Sequence, residues 1–269
     1  MSLHDFNHMM EALPKCIINY VKHAYRGMFT NKYSNLKRYK NIHEGERCFI
    51  VGTGPSLTIE DVTALQGEHV FLCNYGITLC DQLPYQPDYY VIGDPRAYDE
   101  ICNQFEMQRT KEMFLVDMSD YKTYMKKQQG TFNTEWIHLP GERAFFYVER
   151  FFKRNWSFSF DISKAIFSGA SVVYYCYQLA AYMGFKEIYL LGMDCDYSGE
   201  VQHFITFDKT GDSQLKMNSG YYHDNFIKMH YCAAINCYKK GISIFNVSRG
   251  GKLELFERKN LDEVVGNHE

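Results

Sequence analysis

Cys48-Phe49-Ile50-Val51-Gly52-Thr53-Gly54-Pro55-Ser56-Leu57-Thr58 is an apolar run of β-type residues that ends in two glycines, a proline and two hydroxyl residues. A helix-like segment, 59–65, follows at once. The order reads as strand, tight loop and helix N-terminus. Glycine has no Cβ and lets backbone come close to a ligand. The free N–H groups and dipole of the following helix favour an anion there, commonly a phosphate. Ser56 and Thr58 are both placed to cap that helix. The competing reading is an ordinary strand-to-helix turn. The loop is neither a Walker loop nor a G-x-G-x-x-G fingerprint, because position 57 is Leu and no Lys-Ser/Thr pair follows.

The pattern repeats downstream. His69-Val70-Phe71-Leu72-Cys73-Asn74 is a short apolar strand with a polar end, and Pro87-Asp88-Tyr89-Tyr90-Val91-Ile92-Gly93-Asp94-Pro95 has the same form. Residues 113–116 and 136–139 look like two more strands, with polar helix-like segments at 98–107 and 121–129. Strands alternating with helices indicate parallel β-α-β units. The expected fold is therefore α/β, a Rossmann-like, mainly parallel sheet with helices on both faces. Ligands of such sheets bind beyond the carboxyl ends of the strands, which points Asn74, Asp94 and the 52–56 loop at one crevice.

Residues 140–165 are aromatic and irregular, and fit either the wall of an acceptor site or a cover on the core. Ser168-Gly169-Ala170-Ser171 opens a helix that runs through Met183 and ends at Gly184. Glu187-Ile188-Tyr189-Leu190-Leu191-Gly192-Met193-Asp194 reads as a buried parallel strand ending in a carboxylate, with Asp196 close behind. Residues 198–222 are polar and turn-rich, a length that inside a compact domain suggests a lid. His203 and His223 flank it. A helix over 225–239, a strand over 242–247, the basic loop Ser248-Arg249-Gly250-Gly251-Lys252 and a helical fragment over 261–265 complete the chain. The division expected is an N-terminal helical extension, 1–45, and a nucleotide-binding transferase domain, 46–269.

The chain has 269 residues, 46% hydrophobic and 16% aromatic, with a formal net charge of -3. This argues for a large packed core and against a dedicated nucleic-acid binder, which needs a basic face. The nine cysteines include no C-x-x-C pair and mostly sit in apolar runs, as buried thiols of a reducing compartment do. No signal-peptide pattern is present, and the best apolar stretch, 171–185, is too short to span a bilayer and contains Gln178. A cytoplasmic protein is expected. In the first 45 residues, Phe6, Met9, Met10, Leu13, Ile17, Tyr20, Val21 and Tyr25 recur at helical spacing among basic residues. That segment reads either as a helix on an anionic membrane surface, giving peripheral membrane contact, or as a helix packed on the main domain. Pro14 should interrupt it. The sequence leaves the oligomeric state open, a homo-oligomer included.

The strand-end carboxylates Asp94, Asp194 and Asp196 suit Mg²⁺ coordination to a donor diphosphate if the chemistry is metal-dependent, and Asp194-Cys195-Asp196 matches the short D-x-D pattern of many sugar transferases. Hydrogen bonding to ribose or base, or plain turn capping, are the other uses. His223, after the lid and before a helix, is placed like a general base for an acceptor hydroxyl. A helix-start histidine without chemistry fits the same position. His203 and His230 are weaker candidates. Arg249 or Lys252 could neutralise a phosphate or lie solvated.

Gly52-Thr53-Gly54-Pro55-Ser56-Leu57, the stretch ending Gly93-Asp94-Pro95, Gly184-Phe185-Lys186 through Asp194, and Gly250-Gly251-Lys252-Leu253-Glu254-Leu255-Phe256-Glu257-Arg258 together resemble the MptE-like family, called after an archaeal 6-hydroxymethylpterin diphosphokinase. The resemblance covers roughly 38–262, and its bacterial members imply a place in surface-polysaccharide assembly. The same elements are similar to the bacterial CMP-sialic-acid-dependent sialyltransferases. That likeness implies that Gly52, Thr53, Gly54, Pro55, Ser56, Asn74 and Asp94 hold a nucleotide donor, a CMP-sugar or another nucleotide-sugar. It maps the family's Ser-Gly pair onto Ser168 and Gly169, its Asp onto Asp194 and its catalytic His onto His223, in an inverting transfer. Asp196, Tyr197 and His203 then fall in the lid or acceptor region. Thr53 and Asp94 stand where that family has Asn, and Asp196 where it has a tyrosine that helps the leaving phosphate. The extra carboxylates lean toward a metal-bound diphosphate. The function expected is a nucleotide-sugar-dependent, sialyltransferase-like glycosyltransferase with a glycan or small-molecule acceptor. The alternatives are a Mg²⁺-dependent diphosphokinase moving pyrophosphate from ATP to a hydroxymethylpterin-like acceptor, and a non-catalytic nucleotide-binding protein.

Overall fold

A computed structural model describes residues 3–29, 33–102, 110–117, 136–142, 144–196 and 219–266. Among these, nine strands form one sheet: β1 (Arg47–Val51), β2 (His69–Cys73), β3 (Tyr89–Ile92), β4 (Glu112–Asp117), β5 (Ile137–Glu142), β6 (Ile166–Phe167), β7 (Glu187–Leu191), β8 (Ser243–Asn246) and β9 (Glu257–Arg258). Their order is β6-β5-β4-β3-β2-β1-β7-β8-β9, and every pairing is parallel. The fold is the Rossmann-like α/β class expected.

A parallel sheet is covered on both faces, so its strands are apolar throughout rather than alternating. Phe49, Val51, Leu72, Tyr90 and Ile92 bury one face against Leu57, the short helix α2 (Ile59–Thr63), α3 (Pro95–Cys102) and, among the last helices, Leu261 and Val264. Cys48, Ile50, Phe71, Val91 and Phe114 bury the other. There they meet α5 (Val173–Met183) and, beside it, α6 (Ser219–Tyr238), which also touches β8, and α5 is buried on nearly all sides. α7 spans Leu261–Val265.

The aromatic stretch 140–165 holds two elements whose sequence signal is weak. α4 (Ala144–Phe151) is preceded in the sequence by none of Ser, Thr, Asp or Asn at 140–143, and β6 is only two residues long. Trp156 is sealed in the core and Phe146 and Phe158 pack on it, so these aromatics cover the core. The helix expected over 121–129 lies outside the described residues. α1 (Leu3–Phe29) runs straight through Pro14. A mid-helix proline removes one backbone hydrogen bond and crowds the carbonyl four residues before it, yet here the helix continues and packs on α4 through Ala12 and Cys16. The following segment joins the body. Leu36 and Tyr39 are core residues, and the N–H groups of Asn41, His43 and Gly45 donate to the carbonyls of Tyr182, Met183 and Gly184.

Gln178, the polar residue in the most apolar helix, is fully buried with every hydrogen-bonding group engaged. Its Oε1 accepts from the N–H of Ser159 (3.0 Å) and of Phe167 (2.9 Å). Its Nε2 donates to the carbonyls of Phe167 and Tyr174, both at 2.9 Å. The side chain thus ties β6 and the 156–160 loop to α5. Gln178→Leu takes the side-chain partner from two N–H groups and a carbonyl, at about 1–3 kcal/mol for each such group. We expect a loss of about 3 kcal/mol or more in urea denaturation at unchanged native secondary structure.

Candidate functional site

The chain order reverses between β1 and β7. Succession from β1 leads outward to β6 on one side and from β7 to β9 on the other. The carboxyl ends of strands at such a reversal form the crevice in which open α/β sheets bind ligands. Val51 pairs with Leu191 at the end of the two strands, so the residues that follow, Gly52 and Gly192, face each other. The two backbones then stay together: Gly52 N–H donates to the Leu191 carbonyl and Gly54 N–H to that of Gly192, both at 2.8 Å. A Cβ on Gly52 would come within 2.5 Å of the Gly192 carbonyl, and one on Gly54 within 2.2 Å of Asp194 Oδ2. Real Cβ atoms never come so close, so backbone contact at these positions requires glycine.

Asp194 closes the arrangement. It is buried, and its carboxylate accepts from Ser56 twice, from the N–H (2.8 Å) and from Oγ (2.5 Å). The loop after β8 lies over it, with Lys252 N–H donating to the Asp194 carbonyl at 2.6 Å. The anion expected in the 52–56 loop is thus, at Ser56, the protein's own carboxylate. The helix N-terminus is likewise served from within. Thr58 Oγ1 accepts from Asp61 N–H and Asp61 Oδ2 from Thr58 N–H, both at 3.2 Å, a reciprocal capping box. Thr58 is the cap, Ser56 is not, and α2 has only five residues. The loop face turned outward consists of Thr53, Gly54 and Pro55, half-buried to exposed.

The other strand-end residues stand along the same edge of the sheet. Asn74, with φ +45°, leaves β2, and its Oδ1 accepts from Gly93 N–H at 3.4 Å. Asp94 follows, and its carbonyl accepts the Tyr98 N–H of α3 at 2.9 Å. A Cβ on Gly93 would lie 2.7 Å from the Tyr175 ring, and Tyr175 Oη is 2.5 Å from Ser168 Oγ. Asn74, Gly93, Tyr175 and Ser168 are therefore one continuous contact, and Gly169 stands beside Ser168, its Cα against Tyr174.

Three expectations change. Asp94, Asp194 and Asp196 do not form a cation set. Asp194 is committed to Ser56, and Asp196 accepts from Lys252 Nζ at 3.0 Å. These residues do not fit a Mg²⁺ site. Arg249 does not wait for a phosphate, since its guanidinium grips Asp61 at 2.5–3.0 Å. The third change is at α6, which begins at Ser219 rather than 225, so the end of the expected lid, 219–222, is helical and His223 is the fifth helical residue. The His223 side chain, Tyr197, His203 and the rest of the lid lie outside the described residues.

Two histidine arrangements were not legible as such. His230 is buried in the core. Its Nδ1 is 2.8 Å from Tyr177 Oη and its Nε2 3.6 Å from Cys195 Sγ, directly behind Asp194. Burial drives its pKa down to about 3. Among the described residues, the set with ligand atoms mutually within 4.8 Å is His43, Glu46 and His69, at the amino ends of the strands, opposite the crevice. Glu46 Oε2 lies 2.6 Å from His43 Nδ1 and 2.9 Å from His69 Nε2. His69 Nδ1 is 3.7 Å from Asp88 Oδ1, within ion-pair range but too long for a hydrogen bond. Desolvation lowers the pKa of His43, whereas the Asp88 carboxylate raises that of His69.

Residues 20–200 match the family described as 6-hydroxymethylpterin diphosphokinase MptE-like. No curated protein matches the chain by sequence. Among solved structures, the MAf glycosyltransferase from Magnetospirillum magneticum AMB-1 shares the fold, with a TM-score of 0.50 at 16% identity over 86% of this chain and 38% of that one. The chain thus spans well under half the length of that enzyme.

Gly54→Ala should cost about 2 kcal/mol or more, as overpacking does, and release the Ser56–Asp194 contact, read as a lowered melting temperature. His230 takes up a proton near pH 6.5 when unfolded but only near 3 when folded. Its contribution is therefore complete above about pH 6.5 and declines as pH falls toward 3, by about 1.4 kcal/mol per pH unit. In His230→Gln the slope of stability against pH between those limits should fall by close to one proton, measured by urea denaturation.

Proposed function

The chain belongs to the MptE-like family, and from that premise we propose that it is a nucleotide-sugar-dependent glycosyltransferase whose donor lies in the crevice at the carboxyl ends of β1, β2, β3 and β7. The observation that carries this reading is the Asp194–Ser56 contact at the strand-order reversal. It holds the 52–54 backbone, with Thr53 and Gly54 half-buried at its open face, as a floor on which a flat nucleoside or a phosphate can lie. Asn74 and Asp94 stand beside that floor, suited to ribose or base, and Ser168 and Gly169 lie at the far rim. Asp194 acts as a positioning residue, since its oxygens are engaged with Ser56. His223, on the first turns of α6, is the proposed base. It removes the proton of the acceptor hydroxyl while that oxygen bonds to the anomeric carbon, and the nucleotide leaves with the electron pair of the broken glycosidic C–O bond.

The family's description favours a second reading, a diphosphokinase using ATP. Against it stands the engagement of Asp194 with Ser56 and of Asp196 with Lys252, which leaves no assembled carboxylate set for a metal-bound diphosphate among the described residues. A silent nucleotide-binding protein is the third.

A thermal-shift panel of CMP, CDP, UDP, GDP, AMP and ATP, with and without Mg²⁺, separates them, because a ligand of the native state raises its apparent stability. We expect stabilisation by a pyrimidine nucleotide without Mg²⁺, diminished in Asn74→Ala. Stabilisation by ATP or AMP only with Mg²⁺ supports the diphosphokinase instead. His223→Ala should keep the nucleotide shift yet release nucleotide from the donor about 10²–10⁴-fold more slowly. Full turnover in that variant removes the assigned base.

A further inference from the structure

α1 has two apolar sides. Met9, Ala12 and Cys16 are buried, the latter two against Phe145, Tyr147 and Val148 of α4. Phe6, Met10, Leu13, Ile17 and Val21, at steps of four, three, four and four, make a second stripe turned to solvent, with exposures from 39% at Leu13 to 67% at Ile17. Ile18 is also exposed, and the patch continues past Phe6, which touches Phe151, to the exposed Phe152. A run of large apolar side chains this long is unusual on a surface that faces only water.

Charge distinguishes the occupants. From residue 12 to residue 43 the sequence contains Lys15, Lys22, Arg26, Lys32, Lys37, Arg38 and Lys40 and neither Asp nor Glu, in a chain whose net charge is -3. Lys15, Lys37, Arg38 and Lys40 are exposed. Pairing this stripe with that of a second copy would add no opposite charge to this segment, whereas an anionic surface supplies it. At 100° per residue Lys15 lies on the side of α1 away from the stripe, about one helix diameter from whatever the stripe touches, a distance comparable to the Debye length of about 8–10 Å. Its attraction to a negative surface is therefore a field effect that salt weakens.

We propose that the exposed stripe of α1 seats the protein on an anionic lipid surface, with the apolar side chains at the headgroup–acyl boundary and the 15–40 segment supplying the charge attraction. Both alternatives read from the sequence then hold for one helix, which packs on the domain along one side and meets the bilayer along the other. The inference does not depend on which nucleotide or acceptor the crevice takes.

Co-sedimentation of the full chain with vesicles of phosphatidylcholine alone and of phosphatidylcholine with phosphatidylglycerol tests it. Binding should require the anionic lipid and weaken with added salt. Lys37→Ala/Lys40→Ala should lower the partition coefficient roughly fivefold per residue removed. Ile17→Asp/Val21→Asp should abolish sedimentation at an unchanged melting temperature, since both positions are exposed. Equal binding to both lipids, or none to either, overturns the proposal. So does light scattering that finds a dimer which Ile17→Asp/Val21→Asp converts to monomer, because the stripe then belongs to a second copy.

Discussion

Both oxygens of the Asp194 carboxylate are held by Ser56, one residue reaching the other across 138 positions of sequence. A buried carboxylate is costly unless charge-assisted hydrogen bonds replace its water, and the chain meets that condition by folding the 52–56 loop back onto the end of β7. Much else follows from it. The glycines are needed because the carboxylate and the Gly192 carbonyl occupy the space a Cβ would take. The 248–252 loop is drawn over the same point by the Lys252 N–H. The floor of the crevice is consequently made of the 52–54 backbone with Thr53, and the other groups able to discriminate ligands stand at its edges.

The rest of the molecule keeps that floor rigid. The sheet is buried on both faces, so its strands can shift only by disturbing two cores at once. Gln178 and His230 are among the buried polar residues, and each is matched to partners supplied by distant segments. His230 stands directly behind Cys195, so the residue following Asp194 is backed by the helix that also carries His223. Crevice and core are in this way mechanically continuous, whereas α1 packs on α4 along one side and turns a second apolar stripe to solvent.

The strands were legible wherever local chemistry alone decided them. The runs at Cys48-Phe49-Ile50-Val51 and Ile188-Tyr189-Leu190-Leu191 admit no other use in a doubly covered sheet, and Gly184 marks the end of α5. β6 was not legible because two residues hold no period. α4, with no capping residue legible before it in the sequence, was hidden among aromatics that fit a loop equally well. At the candidate site, the glycine loop, Asn74, Asp94, Ser168 and Asp194 were all recognisable as strand-end or helix-start residues. What each one touches was not, because a carboxylate at a strand end looks the same in sequence whether it meets a metal, a ribose or a serine. Asp194 and Asp196, two residues apart, show this best: one is buried on Ser56 and the other sits on Lys252.

The sequence by itself determined the α/β class, the order of its elements and the edge of the sheet on which polar groups gather, since hydrophobic period, glycine and helix-end signals act over a few residues. Only the tertiary structure decided the strand order, with its reversal between β1 and β7, the internal pairing of Asp61, Asp194 and Asp196, and the place of His43, Glu46 and His69 at the opposite edge. These depend on contacts between residues far apart in the chain, and a side chain's neighbours at that range are set by packing rather than by its own chemistry.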